Sequence, residues 1–390
     1  MNVMISVIRP FHSVLLANTL LRDRHAVTLY SAAPRRFFKG LAEDVRTRLV
    51  PAPLEIVSRL SGRKFPVNVM LREATFFDKS VSLLLGASDA YIGWASLSLY
   101  SGIAAKRKGA RYILDRACPH FDFQQDLIRE ESAKIGTSFT ESPAWYHERV
   151  LREYEEADVI LVPSEYTARS FHGHLKDKVV KAPLIGRCHI PDTVRQQRNE
   201  TFTVGIVGGE PRRKGYLYLL RAWKKLALPN AKLLIRSSAD FSQHPALDQL
   251  IKEMPNVELV RYVPNISDFY QRCDAFVLSS VDDGFGMALF EAMANGVPCI
   301  VTRNCGASEL LTDGEDGIII DARSDEQIAE ALLRLYENED ERQSIAANGR
   351  KTALHIANGA GARMYEQAVR DMLMIDSSHV SALPLSSHSA

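Results

Sequence analysis

Short apolar segments alternate with amphipathic ones through the second half of the chain, and this alternation constrains the fold more than any other feature. A β-branched run at 203–207 precedes a helical pattern at 216–226, which places Leu217, Leu220 and Trp223 on one face. Further apolar runs lie at 232–237, 257–260, 275–279, 298–301 and 318–320, and further helical patterns at 244–254, 266–273, 287–295 and 325–336. Short apolar runs joined by helices are typical of parallel strands with crossover helices. The pattern predicts a doubly wound α/β domain.

The first half of the chain repeats this alternation less regularly. A helical pattern lies at 13–21, and apolar runs that indicate strands lie at 3–8, 26–31, 90–93, 111–114 and 159–162. Ser164 precedes a helical pattern that extends to 171, as an N-cap residue would. A chain of 390 residues suits two domains. Residues 191–202 have the polar, aperiodic character of a linker, so we place the domain boundary within them. The expected parts are domains at 1–195 and 196–355, a helix at 356–375 and a flexible tail at 376–390.

Two doubly wound domains in series predict a ligand cleft between the carboxyl ends of their sheets.

Composition excludes several other classes of protein. The apolar fraction of 46% and the charged fraction of 24% are ordinary for a globular protein. No stretch of about 18 apolar residues occurs, and the first ten residues have the pattern of a strand rather than of a signal peptide. The five cysteines lack C-x-x-C spacing, which argues against a disulfide scaffold or a structural zinc site and favours a reducing, cytoplasmic location.

Charge is distributed unevenly along the chain. The net charge is +9 over residues 1–110, but −6 over residues 196–390. Basic and aromatic side chains are interleaved in the first part, at Arg35, Arg36, Phe37, Phe38, Lys39, Arg63, Lys64 and Phe65. Such a surface suits anionic lipid headgroups or a phosphate-bearing ligand, and the alternative is a solvated face with the phenylalanines in the core. Nucleic acid is disfavoured, because the overall charge is only +1 and no recognition module is visible.

The segment 279–294, SSVDDGFGMALFEAMA, carries the strongest indication of a ligand site. A strand ends there, an acidic loop with Gly284, Phe285 and Gly286 follows, and a helix begins near 287. Glycines allow a ligand to approach the backbone, and a helix N-terminus offers unpaired N–H groups to a diphosphate. Asp283 and Glu291 are eight residues apart and should face one cleft, where the Glu291 carboxylate could accept hydrogen bonds from vicinal hydroxyls, as on a ribose. The alternative is a surface glutamate on an ordinary strand–loop–helix unit.

This segment resembles the acidic–seven residues–Glu motif of the retaining glycosyltransferases of family 4. Asp283 stands where the family usually has Glu, and Glu291 matches the second position. Three other segments resemble the family in the same order along the chain: Tyr154–Phe171, Val207–Gly215 and Asn304–Leu310. The resemblance is strong over 200–325 and weak over 1–100. It implies the GT-B fold, in which two Rossmann-like domains face each other across a cleft and a C-terminal helix crosses back to the first domain.

The resemblance also implies roles for the donor side of the cleft. Lys214 matches the family lysine that binds the donor pyrophosphate. The family often has Arg where this chain has Gly209, and Arg212 or Arg213 is expected to substitute for it. Asp283 would hold the hydroxyls of the transferred sugar and would not act as a nucleophile.

Further roles follow from the same resemblance. Glu291 would hold the ribose, and Val263 and Pro264 would border the base. His120 lies in the loop where a family histidine reaches over the donor sugar, and the alternative is a histidine that caps a helix. His12, which follows the first predicted strand, is a weaker candidate.

The implied activity is transfer of a sugar, with retention of configuration, from a nucleoside diphosphate to a glycan or lipid-linked acceptor. Such an enzyme would serve cell-surface polysaccharide or glycolipid synthesis in the cytoplasm, in peripheral contact with the inner membrane surface. No D-x-D sequence occurs, so a metal-bridged diphosphate is not expected, and no cofactor is expected besides the donor substrate.

Three other functions compete with this one on the same sequence. A GT-B protein that binds a nucleotide or glycan without catalysis is favoured by the departures at Asp283 and Gly209, and a sugar-nucleotide epimerase would share the fold. A nicotinamide dehydrogenase would need G-x-G-x-x-G after a strand. The glycines Gly205, Gly208 and Gly209 do not have that spacing.

Overall fold

Two parallel β-sheets organise the chain in a computed structural model, which describes residues 1–54, 57, 61, 65–184, 191, 200–261 and 263–374. Most of the expected linker, at 192–199, and the expected tail from 376 onward lie outside the described residues.

The first sheet is formed by residues 2–181. Its strands are β1 (Asn2–Val7), β2 (Ala26–Ser31), β3 (Arg46–Leu49), β4 (Ala90–Trp94), β5 (Arg111–Asp115), β6 (Val159–Val162) and β7 (Val179–Lys181). They are parallel and lie in the order β3-β2-β1-β4-β5-β6-β7. The five strands predicted in this half are confirmed. Strand β3 was not predicted because it is a fully exposed edge strand with the polar sequence RTRL, and β7 because it has only three residues.

The second sheet is formed by residues 202–320, and all six of its predicted strands are confirmed. They are β8 (Phe202–Val207), β9 (Ala231–Arg236), β10 (Val257–Val260), β11 (Ala275–Leu278), β12 (Cys299–Thr302) and β13 (Ile318–Ile320). Their order is β10-β9-β8-β11-β12-β13, again parallel. The strand order reverses beside β8, and a ligand crevice in such a sheet lies outside the carboxyl ends of the strands at this reversal.

Helices pack on both faces of each sheet, which is why the central strands are apolar throughout. In the first domain they are α1 (Ser13–Arg22), α2 (Val67–Leu84), α3 (Leu99–Arg107), α4 (Phe121–Lys134), α5 (Ala144–Glu156) and α6 (Glu165–Ala168). In the second they are α7 (Tyr216–Leu226), α8 (Pro245–Glu253), α9 (Ile266–Tyr270), α10 (Met287–Ala294), α11 (Asp325–Glu337) and α12 (Glu339–His355). Ser164 caps α6 through Thr167 N, at 3.1 Å, but this helix ends before the predicted 171, because Phe171 turns into the core.

The last described helix, α13 (Gly361–Met374), returns to the first domain. A π-helical turn, Ile356–Ala360, joins it to α12. Its Tyr365, Val369 and Met372 are buried in the core around β1 and α1, and Arg370 contacts Asp23 at 2.7 Å. No helix among the described residues combines the length and the apolar character needed to cross a membrane.

Candidate functional site

The loops after β8 and β11 are fastened to each other at the carboxyl edge of the second sheet. Val281 N donates to Arg213 O at 2.8 Å, and Ser279 Oγ donates to Lys214 O at 3.0 Å. Gly215 has a φ of +64°, and a Cβ atom there would lie 2.0 Å from Ser279 O. Only glycine meets both demands, so this residue allows the lysine loop to close against the acidic loop.

Lys214 and Asp283, two of the predicted residues, form an ion pair across these loops. Both side chains are mostly buried, with exposed fractions of 20% and 14%. The stem of Lys214 crosses Gly208, where a Cβ atom would lie 2.6 Å from Lys214 Cγ. The absence of a side chain at Gly208 thus allows Lys214 to reach the N-terminal end of α10.

Glu291 lies one turn into α10, and its Oε2 accepts a hydrogen bond from Tyr270 Oη at 2.8 Å. Burial raises the pKa of Glu291, whereas the hydrogen bond from Tyr270 and the positive charges of Arg236 and Lys214 act in the opposite direction. Lys214 is therefore close enough to Glu291 to influence its ionisation. The structure places Lys214 in contact with Asp283, and Glu291 one turn into the helix that follows Asp283.

The Gly-Phe-Gly segment packs closely against other parts of the protein. A Cβ atom at Gly284 would lie 2.0 Å from Ala117 O, and one at Gly286 would lie 2.2 Å from Cys305 Sγ. Gly286 is also the N-cap of α10, with a φ of +89°. The Phe285 side chain is 4% exposed and packs against Phe290. These residues allow protein groups to approach one another, and a contact of the segment 284–286 with a ligand stays a prediction.

The two arginines expected to assist Lys214 are already paired within the protein. Arg213 Nε donates to Asp282 Oδ2 at 2.7 Å, and the Asp282 side chain is fully buried. Arg212 Nε donates to Glu210 Oε1 at 2.7 Å, and its Nη1 donates to Ser132 Oγ of the first domain at 3.2 Å. Each guanidinium is thus directed to partners in the fold, and the role of either arginine at the diphosphate stays a prediction.

His120 serves as the N-cap of α4. Its Nδ1 accepts from Asp122 N at 3.3 Å, and its ring packs against Tyr154 and Phe171 with centroid distances of 4.8 and 5.3 Å. Burial lowers the pKa of His120, which favours the neutral imidazole that a cap acceptor needs. Of the two roles that the sequence leaves open for His120, the structure shows the capping one.

The remaining predicted residues lie at the carboxyl edges of the two sheets. Val263 is half-buried and Pro264 is exposed, both between β10 and α9, the helix that carries Tyr270. His12 follows β1, where its Nε2 lies 2.7 Å from Asp115 Oδ2 and its ring is 4.8 Å from that of Trp94. His12 therefore has a fixed orientation on the first-domain side of the cleft.

The sequence did not identify the residues that join the two domains. Asp282 accepts hydrogen bonds from Gln124 Nε2 at 2.7 Å and Tyr166 Oη at 3.2 Å. Ser164 Oγ donates to Gly284 O at 2.7 Å. Glu309 accepts from the first two N–H groups of α6, at 2.9 and 2.8 Å. The only signal was indirect, since Ser164 and Glu309 belong to segments that resemble the glycosyltransferase family.

Residues 193–352 match the sequence profile of the family described as "Glycosyl transferases group 1". The chain is 32% identical over 159 residues to the capsular polysaccharide biosynthesis glycosyltransferase CapM of Staphylococcus aureus, a match that covers 39% of this chain and 41% of that protein. The chain spans about half, or less, of the length of the first curated relatives it matches.

Two solved structures are similar over almost the whole chain. Sucrose-phosphate synthase of Thermosynechococcus elongatus has a TM-score of 0.72 and 15% identity, and the match covers 95% of this chain and 99% of that one. The HepE protein of Anabaena, in complex with UDP and glucose, has a TM-score of 0.65 and 14% identity, with coverages of 96% and 100%. These likenesses confirm the predicted GT-B fold, and the profile match confirms the resemblance to glycosyltransferases.

Proposed function

We propose that the protein transfers a sugar from a nucleoside diphosphate to a glycan or lipid-linked acceptor, with retention of configuration and without a metal ion. The ion pair of Lys214 with Asp283 just before α10, together with Glu291 one turn into that helix, carries the proposal. An ammonium beside a helix N-terminus suits a diphosphate, and a buried carboxylate suits the two hydroxyls of a ribose. The name of CapM, a capsular polysaccharide enzyme, supports a glycan acceptor.

In the proposed reaction, the bond between the anomeric carbon and the diphosphate oxygen breaks. The acceptor oxygen forms its bond on the same face of that carbon and gives its proton to the departing diphosphate. Lys214 and the first N–H groups of α10 stabilise the negative charge that grows on this leaving group. Asp283 orients the Lys214 ammonium and can accept hydrogen bonds from the sugar. Protein cations then do the work that a bridging metal ion does in other transferases.

We also propose that the first domain rests on an anionic membrane surface through helix α2. Arg72, Phe76, Lys79 and Leu83 form an exposed stripe on this helix, with Phe76 51% and Leu83 86% exposed. The two acidic residues of α2 are buried, since Glu73 accepts from Leu54 N at 2.5 Å and Asp78 pairs with Arg149. The outward face is therefore basic and apolar, a combination that binds anionic lipid.

The aromatic residues at 37 and 38 contribute less to this surface than the sequence suggested. Phe38 is buried in the core, whereas Phe37 is 42% exposed and lies under the Arg36 guanidinium, 5.3 Å from its ring centroid. Phe65 is half-buried, and residues 63 and 64 lie outside the described residues. Phe38 is thus a core residue, as the alternative interpretation expects, and Phe37 stays a candidate for the proposed membrane surface.

A donor screen tests the proposed activity. The protein is incubated with UDP-, GDP- and ADP-sugars, with and without lipid-linked acceptors, and the released nucleoside diphosphate and the product anomer are measured. We expect one donor to be consumed faster with acceptor, with retention, and with no effect of a chelator. Lys214→Ala should lower turnover about 100-fold. Lys224→Ala, at an exposed lysine paired with Glu253 on the same domain, should not.

Other outcomes of this screen would contradict the proposal in different ways. Tight donor binding without turnover would indicate a protein that has lost catalysis. Conversion of the donor sugar without release of a nucleoside diphosphate would indicate an epimerase. A product with inverted configuration would contradict retention alone.

A further inference from the structure

Arg236 lies at the carboxyl edge of the second sheet, on the strand next to β8. It is the last residue of β9, paired in register with Val207 of β8 on one side and with Val260 of β10 on the other. Gly208 N donates to Arg236 O at 3.1 Å, so Arg236 adjoins the loop that leads to Lys214. This position is beside the strand-order reversal, where ligands of doubly wound sheets bind.

The alternation of side chains along β9 shows which face Arg236 occupies. Leu233 and Ile235 are buried in one core cluster, whereas Leu234 is buried in the other, together with Tyr270 and Phe290. Arg236 is two residues beyond Leu234 and therefore shares its face of the sheet, the face covered by α9 and α10. Its charge favours the ionised form of Glu291, as expected for a neighbour on that face.

The guanidinium of Arg236 lacks the partners that its neighbours have. Its Nε is buried and donates to no acceptor among the residues that the structure describes. By contrast, Arg212 and Arg213 each donate to a carboxylate at 2.7 Å. A buried N–H group without an acceptor is costly. The loop beside it begins with Gly208, whose missing side chain makes room for the stem of Lys214.

We infer that Arg236 is the second cation of the donor site and binds the diphosphate opposite Lys214. This inference rests on the proposed function, and it names a residue that replaces Arg212 and Arg213 in the expected role. A guanidinium can donate two parallel hydrogen bonds to phosphate oxygens, whereas Lys214 supplies a point charge. Together the two side chains hold both ends of the diphosphate while Glu291 holds the ribose.

Equilibrium binding to the full-length protein tests this inference. Calorimetry compares wild type, Arg236→Gln, Arg236→Lys and, as a matched control, Arg221→Gln, at an exposed arginine of the same domain. The probes are UDP, GDP and ADP, together with the corresponding nucleosides. We expect Arg236→Gln to weaken diphosphate binding about 10-fold or more, with much less effect on the nucleoside. Arg236→Lys should fall between it and wild type, and Arg221→Gln should match wild type.

The results separate this inference from the proposed function. If wild type binds none of the three diphosphates, the proposed function fails, and the inference fails with it. If wild type binds one of them and Arg236→Gln binds it within about twofold, only the inference is overturned. An equal loss for the nucleoside would also overturn it, because Arg236 would then support the pocket rather than the diphosphate. Unchanged melting temperatures without ligand would exclude misfolding as the cause.

Discussion

Burial distinguishes Glu291 from an ordinary surface glutamate, and the difference should appear in the pH dependence of donor binding. Because burial raises its pKa, Glu291 takes up a proton at a higher pH than an exposed glutamate does. The protonated carboxyl accepts hydrogen bonds from ribose hydroxyls less well. We therefore expect affinity for the intact nucleotide sugar to fall as pH decreases, and to fall at a higher pH than titration of an exposed glutamate would cause.

Two variants assign this pH dependence to Glu291. Glu291→Gln should bind the donor weakly at every pH, with a flat profile. Tyr270→Phe removes the hydrogen bond that stabilises the carboxylate, so the fall in affinity should begin at a higher pH than in wild type. Calorimetry at several pH values measures the donor affinity of wild type and of both variants. A profile of the same shape in Glu291→Gln would assign the titration to another group.

Individual residues differed in how far the sequence could predict them. Glu291 was predicted from its place in a helix that follows a strand, and Lys214 from the resemblance of its segment to the glycosyltransferase family. Arg236 and Asp282 were not, because their importance depends on which charged side chains find partners after folding. The glycines Gly284 and Gly286 were predicted to let a ligand approach the backbone, whereas the protein atoms that approach them belong to distant segments of the chain and could not be predicted.

At the scale of a single element, helix α2 should determine membrane association. Arg72→Glu with Lys79→Glu should abolish sedimentation with vesicles of anionic phospholipid, and Phe76→Ser with Leu83→Ser should weaken it several-fold, because charge and apolar insertion both contribute. Binding of wild type should decrease as salt concentration rises. Lys224→Glu with Lys252→Glu, in the second domain, is the control for net charge. Wild-type binding that does not depend on salt would contradict an electrostatic contact.

Helix α5 should make the stability of the first domain depend on pH. Its Glu153 is fully buried, and burial raises the pKa of this carboxyl to about 7, although Arg149 and the backbone N–H groups of Ser98 and Ser96 act in the opposite direction. The folded state thus holds the proton more tightly than the unfolded state. This contribution to stability is present at pH 5 and is lost as pH rises through about 7.

Urea unfolding of wild type and Glu153→Gln at pH 5.5 and pH 8 measures this contribution. The loss of unfolding free energy between these pH values should be larger in wild type, by on the order of 2 kcal/mol. The glutamine has no proton to lose in this range and keeps an acceptor for Ser98 N, at 3.0 Å from Glu153 in wild type. Equal losses in the two proteins would show that Glu153 does not titrate there.

Most elements could be predicted because each leaves a local pattern in the sequence. Strand β3 left none, because an exposed edge strand needs no apolar residues, and α6 ended early because a tertiary contact of Phe171 opposed the helical pattern. Local patterns also cannot show that Glu309, in one domain, caps a helix of the other. The contacts between the domains could therefore not be predicted from the sequence.

For the whole molecule, Glu131 and Arg323 hold the domains together away from the donor loops. Glu131 is 1% exposed and lies 2.9 Å from Arg323 Nε, and Tyr218 Oη donates to it at 3.0 Å. Arg323→Ala should favour separated domains, so that water reaches the donor. We expect the ratio of hydrolysed to transferred sugar to rise several-fold. Arg303→Ala, which removes an exposed pair with Asp321 within the second domain, should leave the ratio unchanged.

The return of α13 to the first domain means that the polypeptide passes between the domains twice, once between β7 and β8 and again at the turn Ile356–Ala360. Two domains that are connected at two separate points can rotate at low cost only about the line through those connections. Opening of the cleft should thus be a hinge rotation about this single axis. An insertion in either connection would tilt that axis and misalign the two domains across the cleft, even with every side chain of the pocket intact.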